Sequence, residues 1–141
     1  MFRLCDVILS VSEQDLVATR KAAPQDTAVW LTPNGVDAKR FDYKDCSQDD
    51  SGPPTLLYVG SMDVDMNVDA VLWFVNEIFP EIRTRIPEVV FNIVGRNPTD
   101  RVRRLEEEEG VRVSGSVDDV RPHYKEATVA VVPSRLGGGT K

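Results

Sequence analysis

The chain has 141 residues, of which 41% are hydrophobic and 28% charged, a composition typical of a soluble globular protein. Its net charge of -6 argues against a nucleic-acid-binding protein, which usually presents a basic contact surface. The single histidine and the two widely separated cysteines indicate no His- or Cys-based metal site, and no apolar run approaches the roughly 18–20 residues that a membrane-spanning helix needs. With no basic-then-apolar start of the signal-peptide kind, the expected location is the cytoplasm.

Two short strands and a helix are predicted before residue 42. Ser12 and Asp15 have a spacing like that of a capping box, in which the hydroxyl accepts a backbone N–H of the first helical turn. A β-branched run before them predicts a buried strand, and the Pro-Asn-Gly sequence after the second strand is a turn signal. The predicted elements are strands 7–11 and 29–31, a helix from Ser12 to about Lys21, and a turn at Pro33–Gly35.

Residues 42–54 are predicted to form a linker. The stretch is largely polar and ends in glycine and proline, so it cannot bury a core of its own. We therefore expect a domain boundary here, with residues 1–41 ending one domain and residues 55–141 beginning the next.

After the linker, apolar strands alternate with helices. Strands that are apolar on both faces are typical of a parallel sheet covered by helices on both sides, with right-handed crossovers. The fold class is therefore predicted to be α/β. Asn67 is expected to cap the first of these helices, and Pro80, which has no N–H to donate, is expected to kink or restart it. The predicted strands are 55–59, 89–94, 111–113 and 129–132, and the predicted helices are about 67–82, 99–109 and 120–127.

The residues that follow each strand are candidate ligand contacts, because an open parallel sheet binds ligands beyond the carboxyl ends of its strands. Three of the four strands run into a glycine, whose missing side chain lets a backbone approach a ligand closely. Each glycine alone is also explained by a tight turn. The set favours a phosphate site because it includes two arginines, whose planar guanidinium suits phosphate oxygens. The candidates are Gly60, Ser61, Gly95, Arg96, Gly115, Ser116, Ser134 and Arg135.

The segment Gly137-Gly138-Gly139-Thr140-Lys141 is a second candidate phosphate contact. Successive glycine amides can form an anion-binding nest, with a hydroxyl and an ammonium group beside them. The order differs from that of a Walker A loop, and a disordered tail and a cloning scar remain alternatives. No metal site is predicted, because Asp63, Asp65 and Asp69 lack the spacing of a calcium loop.

In this order, the segments resemble the retaining glycosyltransferases of the group 1 type (family 4), which have the two-domain GT-B architecture. The most specific part is Pro33-Asn34-Gly35-Val36-Asp37, followed by the strand end Leu57-Tyr58-Val59-Gly60-Ser61-Met62. Weaker matches are Asp6–Ser12, Asn92–Gly95, Val111–Gly115 and Val131–Ser134. The Gly-Ser-Met-Asp sequence with Asn67 downstream, and the Pro-Ser-Arg-Leu-Gly-Gly-Gly-Thr-Lys sequence, are similar to a subgroup involved in exopolysaccharide or cell-envelope sugar transfer.

The resemblance implies that the chain is a fragment. Residues 1–41 would end an N-terminal acceptor-binding domain and its crossover, residues 42–54 would be the linker, and residues 55–141 would be part of the nucleotide-sugar-binding domain. It also implies a UDP- or GDP-sugar as donor substrate, no separate cofactor, and a glycan or lipid-linked acceptor bound mainly by residues outside this chain. Such a fragment is expected to bind nucleotide weakly and not to turn over. Peripheral association of the parent protein with the inner face of the membrane is left open.

The resemblance also assigns parts of the donor to residues. Base and ribose are expected near Gly95, Arg96 and Gly115, and the diphosphate near Gly60, Ser61, Arg135 and residues 137–141. Many members hold the diphosphate with an arginine and a lysine after the first strand of this domain. Here that loop carries Met62, Asp63 and Asp65, so Arg135 and Lys141 are expected to supply the positive charge. Catalytic residues stay unassigned.

Two other functions remain open at the level of sequence. One is a non-catalytic α/β nucleotide-binding or regulatory module, in which the glycines simply make turns. The other is a sugar-nucleotide epimerase, which shares the architecture but fits the Pro-Asn-Gly-Val-Asp pattern less well.

Overall fold

The computed structural model describes residues 5–41 and 52–135, which form two compact units divided after Phe41. Expectations for residues 1–4, 42–51 and 136–141 lie outside the described residues. They include most of the predicted linker and all of the segment from Gly137 to Lys141. No helix within the described ranges is both long enough and apolar enough to cross a bilayer.

The first unit contains a parallel pair of strands and one helix. Ser12 caps the helix as predicted, because its Oγ accepts the Asp15 N–H at 3.1 Å and donates to the Asp15 carboxylate at 2.7 Å. The elements are β1 (Val7–Ser10), α1 (Glu13–Ala22) and β2 (Ala28–Leu31), with Val7 opposite Ala28 in the register.

Two expectations for this unit were wrong. The first strand is not buried, since Val7 is 54% and Leu9 62% exposed. A single helix cannot cover both faces of two strands, so one face has no cover within the described part of this unit. The turn does not fall at Pro33–Gly35; it follows Asp37, whose carboxylate accepts the N–H groups of Lys39 and Arg40 at 3.0 and 3.2 Å.

The second unit is built on a parallel sheet, which confirms the α/β prediction. Its strands within residues 52–135 are β3 (Thr55–Val59), β4 (Val90–Val94), β5 (Val111–Gly115) and β6 (Val129–Ala130). They lie in the order β5-β4-β3-β6, and every neighbouring pair is parallel. The chain therefore adds strands on one side of β3 and then crosses to its other side for β6, the connectivity of a Rossmann-like sheet.

The helices of this unit differ in detail from the prediction. Pro80 restarts the long helix, as predicted: its first part runs into a π-helical turn, in which Phe79 N–H bonds to Phe74 O, and a new helix begins with Pro80 in its first turn. The helix predicted at 99–109 is shorter and ends in a 3₁₀ turn. The elements are α2 (Asp65–Trp73), the π turn (Phe74–Ile78), α3 (Phe79–Arg85), α4 (Asp100–Arg103), the 3₁₀ turn (Arg104–Glu107) and α5 (Arg121–Glu126).

Three phenylalanines form the centre of the core beneath one face of this sheet. Phe91 on β4 is fully buried, and its ring centroid lies 4.6 Å from that of Phe74 and 5.8 Å from that of Phe79. The tilted rings fill the space between the sheet and the restarted helix, so they fix the position of α2 and α3 against β3 and β4.

Replacement of Phe91 should therefore destabilise the second unit strongly. We expect Phe91→Ala to lower the free energy of unfolding by about 3–5 kcal/mol, because it removes a buried ring and leaves a cavity. Urea denaturation followed by circular dichroism measures this change. The exposed Val132 provides the control, and a Phe91→Ala loss no greater than that of Val132→Ala would contradict this assignment of the core.

Candidate functional site

Three predicted glycines lie side by side at the carboxyl ends of neighbouring strands. Gly60 N–H donates to Val94 O at 3.0 Å, and Gly95 N–H donates to Gly115 O at 2.9 Å, so the parallel pairing continues into the loops after β3, β4 and β5. Gly115 has a positive φ of 66°, a conformation that favours glycine. The structure thus brings Gly60, Gly95 and Gly115 together at one edge of the sheet.

Gly60 and Gly95 are in direct backbone contact. A Cβ at Gly95 would overlap with the carbonyl oxygen of Gly60 and come within 2.8 Å of its carbonyl carbon. A Cβ at Gly60 would come within 3.1 Å of the side chains of Tyr58 and Asn67. The two glycines therefore serve first to bring the loops together, and Gly95 leaves no room for any side chain.

The loops after β3 and β4 are joined by hydrogen bonds. Arg96 Nε donates to Ser61 Oγ at 2.7 Å, and Met62 N–H donates to Arg96 O at 2.8 Å, with the Met62 side chain fully buried beneath. Asn97, at a positive φ of 52°, donates its Nδ2 to Asp63 Oδ2 at 2.9 Å. Ser61 and Arg96, predicted separately from two strand ends, are direct partners.

Asp63 keeps a negative charge at this edge. The hydrogen bond from Asn97 lowers the pKa of the Asp63 carboxyl below its ordinary value, and its own backbone N–H and the charge of Arg96 lower it further. The carboxylate is fully ionised at neutral pH and stands where the resemblance had placed positive charge in many relatives.

Asn67 is not the helix cap that the sequence predicted. The helix begins two residues earlier, and the Asn67 side chain instead accepts from Tyr58 OH at 2.8 Å and donates to Ser61 O at 2.9 Å. Burial raises the pKa of the Tyr58 phenol, so it stays protonated and able to donate. Asn67 thus supports the Gly60–Ser61 loop from below, a role that the sequence did not reveal.

The residues after β6 form the other side of the site. Val131 N–H donates to Leu57 O at 2.8 Å, so pairing with β3 continues past the end of β6. Ser134 Oγ is buried without a hydrogen-bond partner in the described part of the chain. Arg135 forms a two-pronged ion pair with Asp69 of α2, at 2.7 and 3.3 Å, and its Cζ lies 5.1 Å from the centroid of the Trp73 ring.

The strand order reverses between these two sides, and we call this position the crevice. The strands that follow β3 in the chain, β4 and β5, lie on one side of it, and β6 lies on the other side. In open parallel sheets this point of reversal is where ligands bind. Gly60 and Ser61 lie on one side of it, and Ser134 and Arg135 on the other. The exposed Ser116 follows β5, at the far side of the row of strand ends.

Comparison with known families and structures identifies the architecture. The family profile described as "Glycosyl transferases group 1" matches residues 53–141, well over half of the chain. The chain belongs to the group 1 glycosyltransferase family. No curated protein sequence matches this glycosyltransferase chain.

The fold of this chain is similar to that of a solved structure bound to a nucleotide and a sugar. The crystal structure of Anabaena HepE in complex with UDP and glucose superposes with a TM-score of 0.60 at 13% sequence identity. The match covers 92% of this chain and 38% of HepE, so the chain spans little more than a third of the length of that protein. The likeness confirms the Rossmann-like α/β fold of the GT-B type.

The contact between Gly60 and Gly95 gives a direct test of the site geometry in this glycosyltransferase. We expect Gly95→Ala to destabilise the second unit by about 2–3 kcal/mol, because the new methyl group must displace the Gly60 carbonyl. Thermal and urea unfolding measure the loss. Gly52→Ala is the control, since a Cβ there meets nothing within 4 Å; equal stability of the two variants would show that the loops are not in contact.

Proposed function

We propose that the full protein is an enzyme that transfers a sugar from a UDP- or GDP-sugar to a glycan or lipid-linked acceptor, with retention of the anomeric configuration. In this proposal, residues 52–135 hold the nucleotide of the donor. The observation that carries it is the close approach of Gly60 and Gly95 at the rim formed by the carboxyl ends of β3 and β4, beside the reversal of strand order, in a chain of the group 1 glycosyltransferase family.

The chemistry of the rim suits a diphosphate. The exposed guanidinium of Arg96 lies beside the Ser61 hydroxyl, at the carboxyl ends of β4 and β3. The complex of HepE with UDP and glucose supports a nucleotide-sugar as the donor class. We expect the diphosphate on the Ser61 side of the loop, away from the ionised carboxylate of Asp63.

These groups would assist the reaction through charge. As the bond between sugar and diphosphate breaks, negative charge grows on the diphosphate oxygens. A cation and hydrogen-bond donors held in place stabilise that charge without having to reorganise. Arg96 and Ser61 are the described side chains best placed for this role, and no metal or separate cofactor is part of the proposal. Exopolysaccharide or cell-envelope sugar transfer at the cytoplasmic side of the membrane is the proposed setting.

Nucleotide binding tests the proposal and separates it from its alternative. Titration calorimetry with UDP, GDP and ADP should show binding of UDP or GDP to the folded chain. A folded sample that gives no heat with any of the three would favour a non-catalytic α/β module, in which the glycines only make turns.

Arg96 should contribute to this binding. We expect Arg96→Gln to weaken the binding of UDP or GDP by about 10- to 100-fold, because a hydrogen bond to a charged group contributes about 1.5–3 kcal/mol. Arg101→Gln on α4 makes the same change of charge at another exposed position and should leave affinity unchanged. Equal effects of both substitutions would mean that the overall charge, and not a contact, governs binding.

Retention is tested on the full-length enzyme with donor and acceptor. Proton NMR of the product should show the same anomeric configuration as the donor sugar. A product with the inverted configuration would contradict retention but would not bear on the proposed nucleotide site.

A further inference from the structure

Both sides of the crevice are bonded to the same helix. We define the β3 lip as residues 60–62 and the β6 lip as residues 133–135. Two side chains of α2 reach them: Asn67 contacts the β3 lip, and Asp69 contacts the β6 lip. The two residues are separated by a single position in the sequence, so any movement of one lip against the other must strain or break one of these contacts.

The contact with the β3 lip is specific in direction. Tyr58 OH donates a hydrogen bond to Asn67 Oδ1. The other end of the amide, Nδ2, therefore faces the β3 lip and donates to Ser61 O at 2.9 Å. Tyr58 is 2% exposed and lies on β3 itself, so the orientation of the amide is fixed from within the sheet. Asn67 also lies directly against Gly60, where an added Cβ would come within 3.1 Å of it.

The contact with the β6 lip uses the planar fork of Arg135. Its Nη2 and Nε meet the two carboxylate oxygens of Asp69, and Trp73, one turn further along α2, lies beneath the guanidinium. The ion pair is partly exposed, with 47% of the Arg135 side chain and 32% of the Asp69 side chain accessible. Such a pair adds little to overall stability, so its main effect is to fix where the lip lies.

The geometry points to α2 as a brace that sets the width of the crevice, with Asn67 and Asp69 as positioning residues. Arg135 then anchors the β6 lip and is not a phosphate ligand, contrary to the role that the resemblance gave it. The expected changes in nucleotide affinity rest on the proposed function. The role of α2 as a brace rests only on the contacts described above.

The substitution Asp69→Asn distinguishes the two roles of Arg135 by the sign of its effect. If Arg135 is an anchor, loss of the ion pair loosens the β6 lip and weakens UDP or GDP binding by about tenfold, which corresponds to about 1.4 kcal/mol. If Arg135 is a phosphate ligand, removal of Asp69 frees it and binding becomes tighter. Glu77→Gln makes the same chemical change at an exposed position of the adjoining π turn and should change nothing.

Asn67→Ala tests the other half of the brace without a change of charge, with the exposed Asn76→Ala as its control. We expect weaker nucleotide binding from Asn67→Ala and an unchanged affinity from the control. Melting temperatures of all four variants show whether the unit remains folded.

Amide hydrogen exchange tests the role of α2 as a brace in the absence of nucleotide. Asp69→Asn should increase the exchange rate of the Val131 N–H, and Asn67→Ala should increase the exchange rate of the Met62 N–H. The control variants should leave both rates unchanged. If the two variants exchange these amides faster but the chain binds no nucleotide, the proposed function is wrong and the role of α2 as a brace is supported. Unchanged exchange at both positions, or tighter binding by Asp69→Asn, would overturn the brace.

Discussion

The backbone contact between Gly60 and Gly95 is the constraint on which the described site depends. Because Gly95 carries no side chain, its strand end can lie against the carbonyl of the neighbouring strand end. At that separation the two following loops can exchange hydrogen bonds, and Arg96 meets Ser61 at 2.7 Å. The glycines therefore act first on the protein, by bringing the two loops together.

The distribution of charge at the rim differs from what the net charge of -6 suggests. Asp69 is matched by the charge of Arg135, whereas Asp63 is hydrogen-bonded to the neutral amide of Asn97 and keeps its negative charge near Arg96. Arg96 is bonded instead to a neutral hydroxyl. Arg96 is thus a cation at the strand ends of an acidic protein, and the net charge alone does not describe the local field.

Local pattern predicted much of the fold, and contacts distant in sequence account for most of what it missed. The uniformly apolar strands correctly predicted the parallel sheet, and Pro80 correctly predicted the restarted helix, because each signal acts within a few residues. Asn67 has the chemistry of a helix cap, but its partner Tyr58 was invisible to local reasoning. The ion pair of Arg135 with Asp69, 66 residues away, was likewise invisible to local reasoning, and the predicted contact of Arg135 with a phosphate stays a prediction. The burial of β1 was predicted wrongly since an apolar strand is buried only where another element covers it.

Glycine, serine and arginine at the strand ends were correctly placed along one rim; their contact with a ligand remains a prediction.

The most direct measurement of the central claim is an NMR titration of the isotopically labelled chain with UDP and GDP, following backbone amide shifts. We expect the largest changes at Gly60, Ser61, Gly95 and Arg96, at the carboxyl ends of β3 and β4. Changes confined to the opposite end of the sheet, such as the groove lined by Phe79, Arg83 and Glu109, with the four rim amides unmoved, would contradict it.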